Sequence, residues 1–330
     1  MKTMKLGKTG IDISRIGLGT WSIGGGSAWG GDHNLQTVVD TIREAPRAGV
    51  NLIDTAPGYN FGNSERILGK ALEGMNRKDV VIITKCGITW DQEMKGDLFN
   101  VVNDIQLYKN LNSDSIKKEI KESLERMGIE YVDVYMTHWQ SVNGSKYYVP
   151  IEKTMDVLND LKAQGKIKAI GAANVDIYQI KEYVKCGELD IVQAKYSILD
   201  RGVEEEIIPC CKENEITLQA YSPLEMGLLS GMLPRDYKPV GAQIPKKWFQ
   251  TSNMQAAMDM MEKWKPLCEK YNCTIANLAL AWVLAQGDFI NLLSGSTTVE
   301  QIKENVKSAE LKLDTEDIEY MRKLAIEIDK

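Results

Sequence analysis

"PIEKTMDVLNDLKAQGKIKAIGA", residues 150–172, holds one complete unit of the fold. Pro150 opens it, where a missing N–H costs a helix nothing. Apolar residues then recur at helical period until Gly165 stops them. The next residues, "KIKAIGA", read as a buried strand. A strand must also precede the helix, and "VDVYMT" at 132–137 supplies it.

Outward in both directions the same unit repeats. Eight apolar, often β-branched runs read as parallel strands: Ile16–Gly19, Val50–Ile53, Val80–Thr84, Val132–Thr137, Ile167–Gly171, Ile191–Ala194, Ile216–Ala220 and Ile290–Ser294. Segments of helical period separate them. In "SDSIKKEIKESLERMG" (113–128), Ser113 reads as the cap, Ile116, Ile120, Leu124 and Met127 form one face, and Gly128 is the stop. Pro46 falls inside the first helix candidate, Leu35–Ala48, and predicts a bent or shortened last turn. Such alternation predicts a closed (β/α)₈ TIM barrel spanning 1–330 as one domain. A doubly wound sheet is the rival, but no GxGxxG follows the first strand. The first dozen residues read as a β-hairpin with "GKTG" at its turn, placed to close the lower end. Two connections, 86–112 after strand three and 221–252 after strand seven, exceed simple βα loops and are candidates for a lid or pocket.

Composition narrows the function. The 330 residues carry a net charge of −6, with no Lys/Arg run that would bind nucleic acid. No apolar stretch reaches the ~20 residues of a membrane helix. Six cysteines form neither a CxxC pair nor a disulfide framework, and the N-terminus has no apolar signal core, so a cytoplasmic protein with reduced thiols is expected.

Asp54 follows the second strand run, Lys85 the third and His138 the fourth, while Tyr59 lies just beyond Asp54. In a barrel these ends converge on one mouth. A phenol of pKa ~10 is a poor acid near neutrality. A buried ammonium would lower that pKa, and a buried ammonium needs a counter-carboxylate. An imidazole can polarise a carbonyl oxygen. Together the four suit protonation of an oxygen while a hydride reaches its carbon. With His33 the one other histidine, a multi-histidine metal site is not expected.

At these residues the chain resembles the aldo-keto reductases. The carrying motifs are "GLGTW" (17–21), "NLIDTAPGYNFGNSE" (51–65), "VIITKCG" (81–87), "DVYMTHW" (133–139), "GKIKAIGAANV" (165–175), "QAKYSIL" (193–199), "QAYSPLEMGLLSG" (219–231) and "GSTTVEQIKEN" (295–305). The resemblance implies a nicotinamide-dependent carbonyl reductase. Tyr59 would be its general acid, Lys85 and Asp54 would assist, and His138 would position the substrate oxygen. It also implies a cofactor path. By the same resemblance Gly19, Thr20, Trp21 and Asp54 would bind the cofactor, and Asn174 and Gln193 would hold the carboxamide. Tyr221 would stack on the ring, while Ser222, Pro223, Leu224, Gly227 and Leu228 would line the pyrophosphate. Gly295, Ser296, Thr297, Gln301, Glu304 and Asn305 would surround the adenosine. Ala173 stands where relatives often carry Ser, which removes one carboxamide hydrogen bond.

NADPH-preferring relatives place Lys or Arg where Gly295, Thr297 and Gln301 stand here. A 2′-phosphate favours a guanidinium fork, and "GSTTVEQ" offers no cation. NADH is the expected cofactor and NADPH is disfavoured, with Lys303 the one residue able to reverse this. Trp21, Trp29, Trp90, Tyr108, Trp139 and Trp248 are candidate pocket walls, of which Trp21 and Trp139 directly follow strands; Trp21, Tyr59, Trp90, His138 and Trp139 form the expected substrate pocket. Small neutral aldehydes and 2-oxoaldehydes such as methylglyoxal, or open-chain sugars, fit best. The same groups would serve a sugar or cyclitol reductase/dehydrogenase. A cofactor-binding sensor, and a metal-assisted lyase using Asp54 and Glu65, are the rivals from other classes.

Overall fold

The computed structural model describes residues 3–329. Its centre is a closed barrel of eight parallel strands: β1 (Ile16–Gly19), β2 (Leu52–Asp54), β3 (Val81–Cys86), β4 (Val132–Thr137), β5 (Ile167–Ala173), β6 (Ile191–Lys195), β7 (Thr217–Tyr221) and β8 (Ile290–Gly295). Each pairs with its sequence neighbours, and β8 pairs with β1 to close the ring. The expected TIM barrel is therefore found.

Alternation along the strands builds two cores. Ile53, Ile82, Tyr135, Ile170, Val192, Leu218 and Leu292 point outward into a helix-covered shell. Leu52, Ile83, Val134, Met136, Ala169 and Ile191 point inward. Each of the Leu, Ile, Val and Met side chains stabilises the fold by about 1.5–3 kcal/mol when fully buried. The N-terminal strands Thr3–Lys5 and Asp12–Ser14 pair antiparallel as the expected hairpin. Its Leu6 and Ile13 are fully buried against the inner core, so the hairpin plugs the lower end. At the hairpin's turn, Gly7 has φ +48°, and a Cβ there would sit 2.5 Å from the Asp190 carbonyl oxygen. Only glycine fits.

The helices α1 (Leu35–Glu44), α2 (Asn63–Leu72), α3 (Ser113–Met127), α4 (Ile151–Ala163), α5 (Ile177–Cys186) and α6 (Ile207–Glu213) follow the first six strands. α7 (Thr251–Glu262), α8 (Lys265–Tyr271) and α9 (Ile275–Leu284) precede β8, and α10 (Val299–Asn305) and α11 (Thr315–Ile328) follow it. α1 ends two residues before Pro46, as the shortened last turn predicts. The cap of α3 is Asn112, not Ser113: its side chain accepts from Ser115 N at 2.8 Å. Gly128 then ends α3 in the left-handed conformation. Among the described residues no helix is long and apolar enough to cross a membrane.

Six strands differ from expectation by one or two residues at one or both ends, and the shifts of β2 and β3 matter. Asp54 and Lys85 lie within β2 and β3 rather than after them, because their backbones continue the ladder. The 86–112 connection holds a three-stranded antiparallel sheet of Ile88–Thr89, Asp97–Val102 and Ile105–Lys109. Asn103 and Asp104 form its tight turn, with φ of 49° and 63°. The 221–252 connection is a chain of short 3₁₀ turns, and it buries Trp248 and Phe249 in the outer core.

Candidate active site

β2 and β3 deliver Asp54 and Lys85 side by side into the upper barrel. Lys85 Nζ donates to Asp54 Oδ1 at 2.8 Å, to Asp54 Oδ2 at 2.9 Å and to the Thr55 carbonyl at 3.0 Å. It also lies 2.9 Å from Tyr59 Oη. Lys85 has no water contact and Asp54 is 2% exposed. Either charge alone would be very costly there, and each supports the other.

The β2–α2 loop brings Tyr59 back over the pair. Asn60, Phe61 and Gly62 all take left-handed φ values, which turns the chain within three residues. Asn60 and Asn63 both donate to the Gly24 carbonyl, at 2.8 and 3.0 Å, and pin this loop to the one after β1. His138, directly after β4, meets Tyr59 edge-on with ring centroids 5.7 Å apart. Its backbone is held on both sides: His138 N donates to the Cys86 carbonyl, and its own carbonyl accepts from Asn174 Nδ2. Four residues spread over 85 positions thus share one barrel mouth, with Tyr59 and His138 each keeping part of their surface open.

Electrostatics here correct one expectation. Tyr59 is pushed well above the usual phenol value, first by burial and then by the Asp54 charge. The ammonium does not make it a stronger acid than a free phenol at rest. Lys85 is lowered by burial, an effect that the Asp54 carboxylate opposes. His138 is held well below the usual imidazole value by burial and by the Lys85 charge. The resting site therefore carries a neutral phenol and a neutral imidazole. The phenol oxygen accepts from the ammonium and holds Asp54 Oδ1 only by a long contact of 3.5 Å, so its proton can turn to a better acceptor, and the Lys85 contact stabilises the oxygen once that proton leaves.

The aromatic candidates separate. Trp21 lies 6.2 Å from the Tyr59 ring and packs edge-on against Trp29 at 5.1 Å. Trp139 stacks obliquely on Phe99 of the inserted sheet, with Lys109 Nζ 4.8 Å above its ring. Trp90 stands apart: it meets Phe61 edge-on and lines a separate cavity of about 200 Å³ with Pro57, Ile88, Glu119 and Arg126. None of the four convergent residues lines that cavity. Trp248 is in the core and walls nothing at the mouth.

Along the expected cofactor path, Tyr221 Oη donates to Asn174 Oδ1 at 2.9 Å, which fixes both at the ends of β7 and β5. Thr20 does something other than expected. It is fully buried, and its hydroxyl donates to the Asp54 carbonyl at 2.8 Å, anchoring the carboxylate's own backbone. The Leu228 side chain is likewise fully buried in the outer core and cannot line a pyrophosphate. Pro223 is buried, whereas Ser222, Leu224 and Gly227 keep some exposure. Gly19 of β1 pairs with Asp54 of β2. At the far end Gly295 is exposed, Thr297 N donates to Gln301 Oε1 at 2.8 Å, and Asn305 Nδ2 donates to Ser296 Oγ at 3.1 Å. Glu304 is tied to Thr274 and Lys307. Lys303 pairs with Glu44 at 3.2 Å.

This path suits a dinucleotide. Ser22 Oγ is buried with no partner, and a Cβ built on Gly295 would lie 3.3 Å from it. A Cβ on Gly227 would meet nothing within 4 Å. The chain therefore leaves bare backbone and an orphaned hydroxyl where a polar ligand would run. Glu65, the second carboxylate of the metal rival, is committed elsewhere: it accepts from Thr84 Oγ1 and Arg126 Nε, both at 2.6 Å.

Fold and constellation together define a barrel oxidoreductase of one family, and the sequence agrees: residues 15–326 match the aldo/keto reductase family, to which the chain belongs. Among its relatives is the NADH-specific methylglyoxal reductase of Escherichia coli strain K12, 57% identical over 330 residues and covering 100% of both chains. The aldo-keto reductase YhdN of Bacillus subtilis is 36% identical over 292 residues, 87% of this chain and 82% of that one. In structure it resembles the glycerol dehydrogenase AKR11B4 of Gluconobacter oxydans, with TM-score 0.87, 28% identity, and 99% and 96% of the two chains covered.

Two polar residues in the barrel interior receive no role from the motifs, although Gln219 opens "QAYSPLEMGLLSG". Gln219 and Asn291 are fully buried, inside β7 and β8. Their signal is a polar residue within an apolar run, "TLQAY" and "INLLSG", at an inward-facing position of the alternation.

Proposed function

We propose that this chain is an NADH-preferring carbonyl reductase of small aldehydes and 2-oxoaldehydes such as methylglyoxal. The observation that carries the reading is the Lys85 ammonium, bound at once to the Asp54 carboxylate and to the Tyr59 hydroxyl oxygen. A reduced nicotinamide, when bound, supplies the hydride. His138, neutral and beside Tyr59, donates a hydrogen bond to the substrate carbonyl oxygen and holds it at the phenol. Tyr59 gives that oxygen its proton as negative charge builds, and Lys85 holds the phenolate that remains. Asp54 keeps Lys85 charged and in place. Trp21 and Trp139 wall the pocket.

Asn174 and Gln193 would hold the carboxamide, with Tyr221, hydrogen-bonded to Asn174, beside them. Selectivity for NADH rests on charge. Gly295, Thr297 and Gln301 offer no cation, and Lys303 is engaged by Glu44. A 2′-phosphate would find no fork, at a loss of roughly 1.5–3 kcal/mol for a charged hydrogen bond not made. The name of the Escherichia coli relative supports the same preference. Six free cysteines suit a reducing compartment, and we place the enzyme in the cytoplasm.

The test is kcat/KM for methylglyoxal and a panel of aldehydes and sugars, each with NADH and NADPH. NADH should be favoured by about tenfold or more, the equivalent of ~1.4 kcal/mol. Equal or better use of NADPH overturns the selectivity, and a sugar preferred over every aldehyde overturns the substrate class.

A further inference from the structure

A line of amides crosses the barrel below the site. Gln193, Gln219 and Asn291 are register partners on β6, β7 and β8, so all three side chains enter the interior at one level. Gln193 Nε2 donates to Asp54 Oδ2 at 2.8 Å and to Gln219 Oε1 at 2.7 Å. Gln219 Nε2 donates to Asn291 Oδ1 at 2.8 Å. Asn291 Nδ2 donates to the Ser14 carbonyl at 2.7 Å, in the hairpin that plugs the barrel.

The direction of this line is forced. A backbone carbonyl can only accept, so Asn291 must turn its NH₂ to Ser14 and its oxygen to Gln219. Gln219 must then turn its NH₂ to Asn291 and its oxygen to Gln193. At the other end the Asp54 carboxylate also only accepts. Gln193 therefore sits between two acceptors, and both protons of its NH₂ are used. A flipped Gln193 would set its oxygen against a carboxylate and a carbonyl, and the buried Gln219 oxygen would lose its donor, while Asp54 Oδ2 would keep only Lys85. Its Oε1, by contrast, receives no donor among the described residues. The whole line is buried, with Gln219 and Asn291 at 0% and Gln193 at 3% exposure, so water cannot substitute for a missing link.

We infer that Gln219 and Asn291 are positioning residues for the nicotinamide end of the cofactor. They lock Gln193 in the one orientation that supports Asp54 and leaves Oε1 as the acceptor for a carboxamide NH₂. This rests on the proposed dinucleotide reading and adds residues to it that never touch the ligand. The hairpin's Ser14 carbonyl is the far anchor, so the lower plug of the barrel helps to set an amide at its mouth.

Titration calorimetry with NADH and with ADP-ribose, which lacks the nicotinamide, tests the relay. The proteins are the parent, Gln219→Met, Asn291→Leu, Gln193→Leu and the Gln193→Leu/Gln219→Met double variant. Gln219→Met should weaken NADH by about tenfold while ADP-ribose stays within about twofold. Asn291→Leu, one link further away, should give a smaller loss of the same kind, and it carries the test if Gln219→Met does not fold. Adding Gln219→Met to Gln193→Leu should change NADH affinity no further, since the two act as one unit. Unchanged NADH binding in Gln219→Met and Asn291→Leu, equal losses of both ligands, or additive losses in the double variant overturn the relay. A parent that binds ADP-ribose but gains nothing from the nicotinamide overturns the dinucleotide reading itself.

Discussion

At Tyr59 the phenol oxygen lies 2.9 Å from an ammonium that water does not reach. Burial and the Asp54 charge keep the phenol protonated, and burial with the Lys85 charge keeps His138 neutral. The sign of each shift sets the pH behaviour. His138 titrates below its ordinary value, so falling pH does not charge it between about 7 and 6. Tyr59 titrates above its ordinary value, so rising pH does not ionise it between about 7 and 9. Neither His138 nor Tyr59 should therefore produce an inflection in kcat for reduction between about pH 6 and 9, read from a pH–rate profile at saturating NADH; Lys85, lowered by burial, is the group whose loss of charge would end the plateau on the alkaline side. An inflection near the ordinary imidazole value of ~6.5 would mean that His138 is solvated and charges there. Among single residues the sequence was most legible where chemistry is rare: two histidines, and one carboxylate closing an apolar run. It was least legible for Thr20 and Leu228, whose motif positions say nothing of which way a side chain turns. It also misled on acidity, because desolvation depends on neighbours that only the closed barrel brings.

Between elements, a buried ion pair ties β3, α2 and α3 together. Glu65 has no exposure and is bound by Arg126 and Thr84. Gly69 of α2 allows the approach: a Cβ there would lie 2.8 Å from the Arg126 carbonyl oxygen. Arg126→Met would leave the Glu65 carboxylate buried and unpaired, at a cost of about 3–5 kcal/mol. Urea unfolding should show that loss, and adding Glu65→Gln should recover a large part of it. Equal stability of Arg126→Met and parent would mean that Glu65 is protonated and the pair adds nothing. Elements were legible where period and punctuation agree, as in α4 between Pro150 and Gly165. The inserted sheet of 88–109 was not. Its strand Asp97–Val102 is mostly exposed, so no buried face imprints an alternating pattern, and its Asn103–Asp104 turn lacks the glycine of the commonest hairpin turns.

Over the whole molecule, the site exists only because eight strands close. Asp54, Lys85, His138 and Gln193 come from β2, β3, the end of β4 and β6, and the hairpin at the opposite end anchors the amide line beneath them. The repeat of strand and helix was enough to predict that closure, and the closure was enough to predict that Asp54, Tyr59, Lys85 and His138 meet. Their hydrogen-bond directions needed the interior packing. The most direct test compares steady-state NADH oxidation by the parent and Tyr59→Phe with methylglyoxal, alongside NADH binding by fluorescence. Tyr59→Phe should lose about 10²–10⁴-fold in kcat, the usual contribution of a positioned acid, while binding NADH as tightly as the parent. Turnover by Tyr59→Phe near the parent rate would contradict the account.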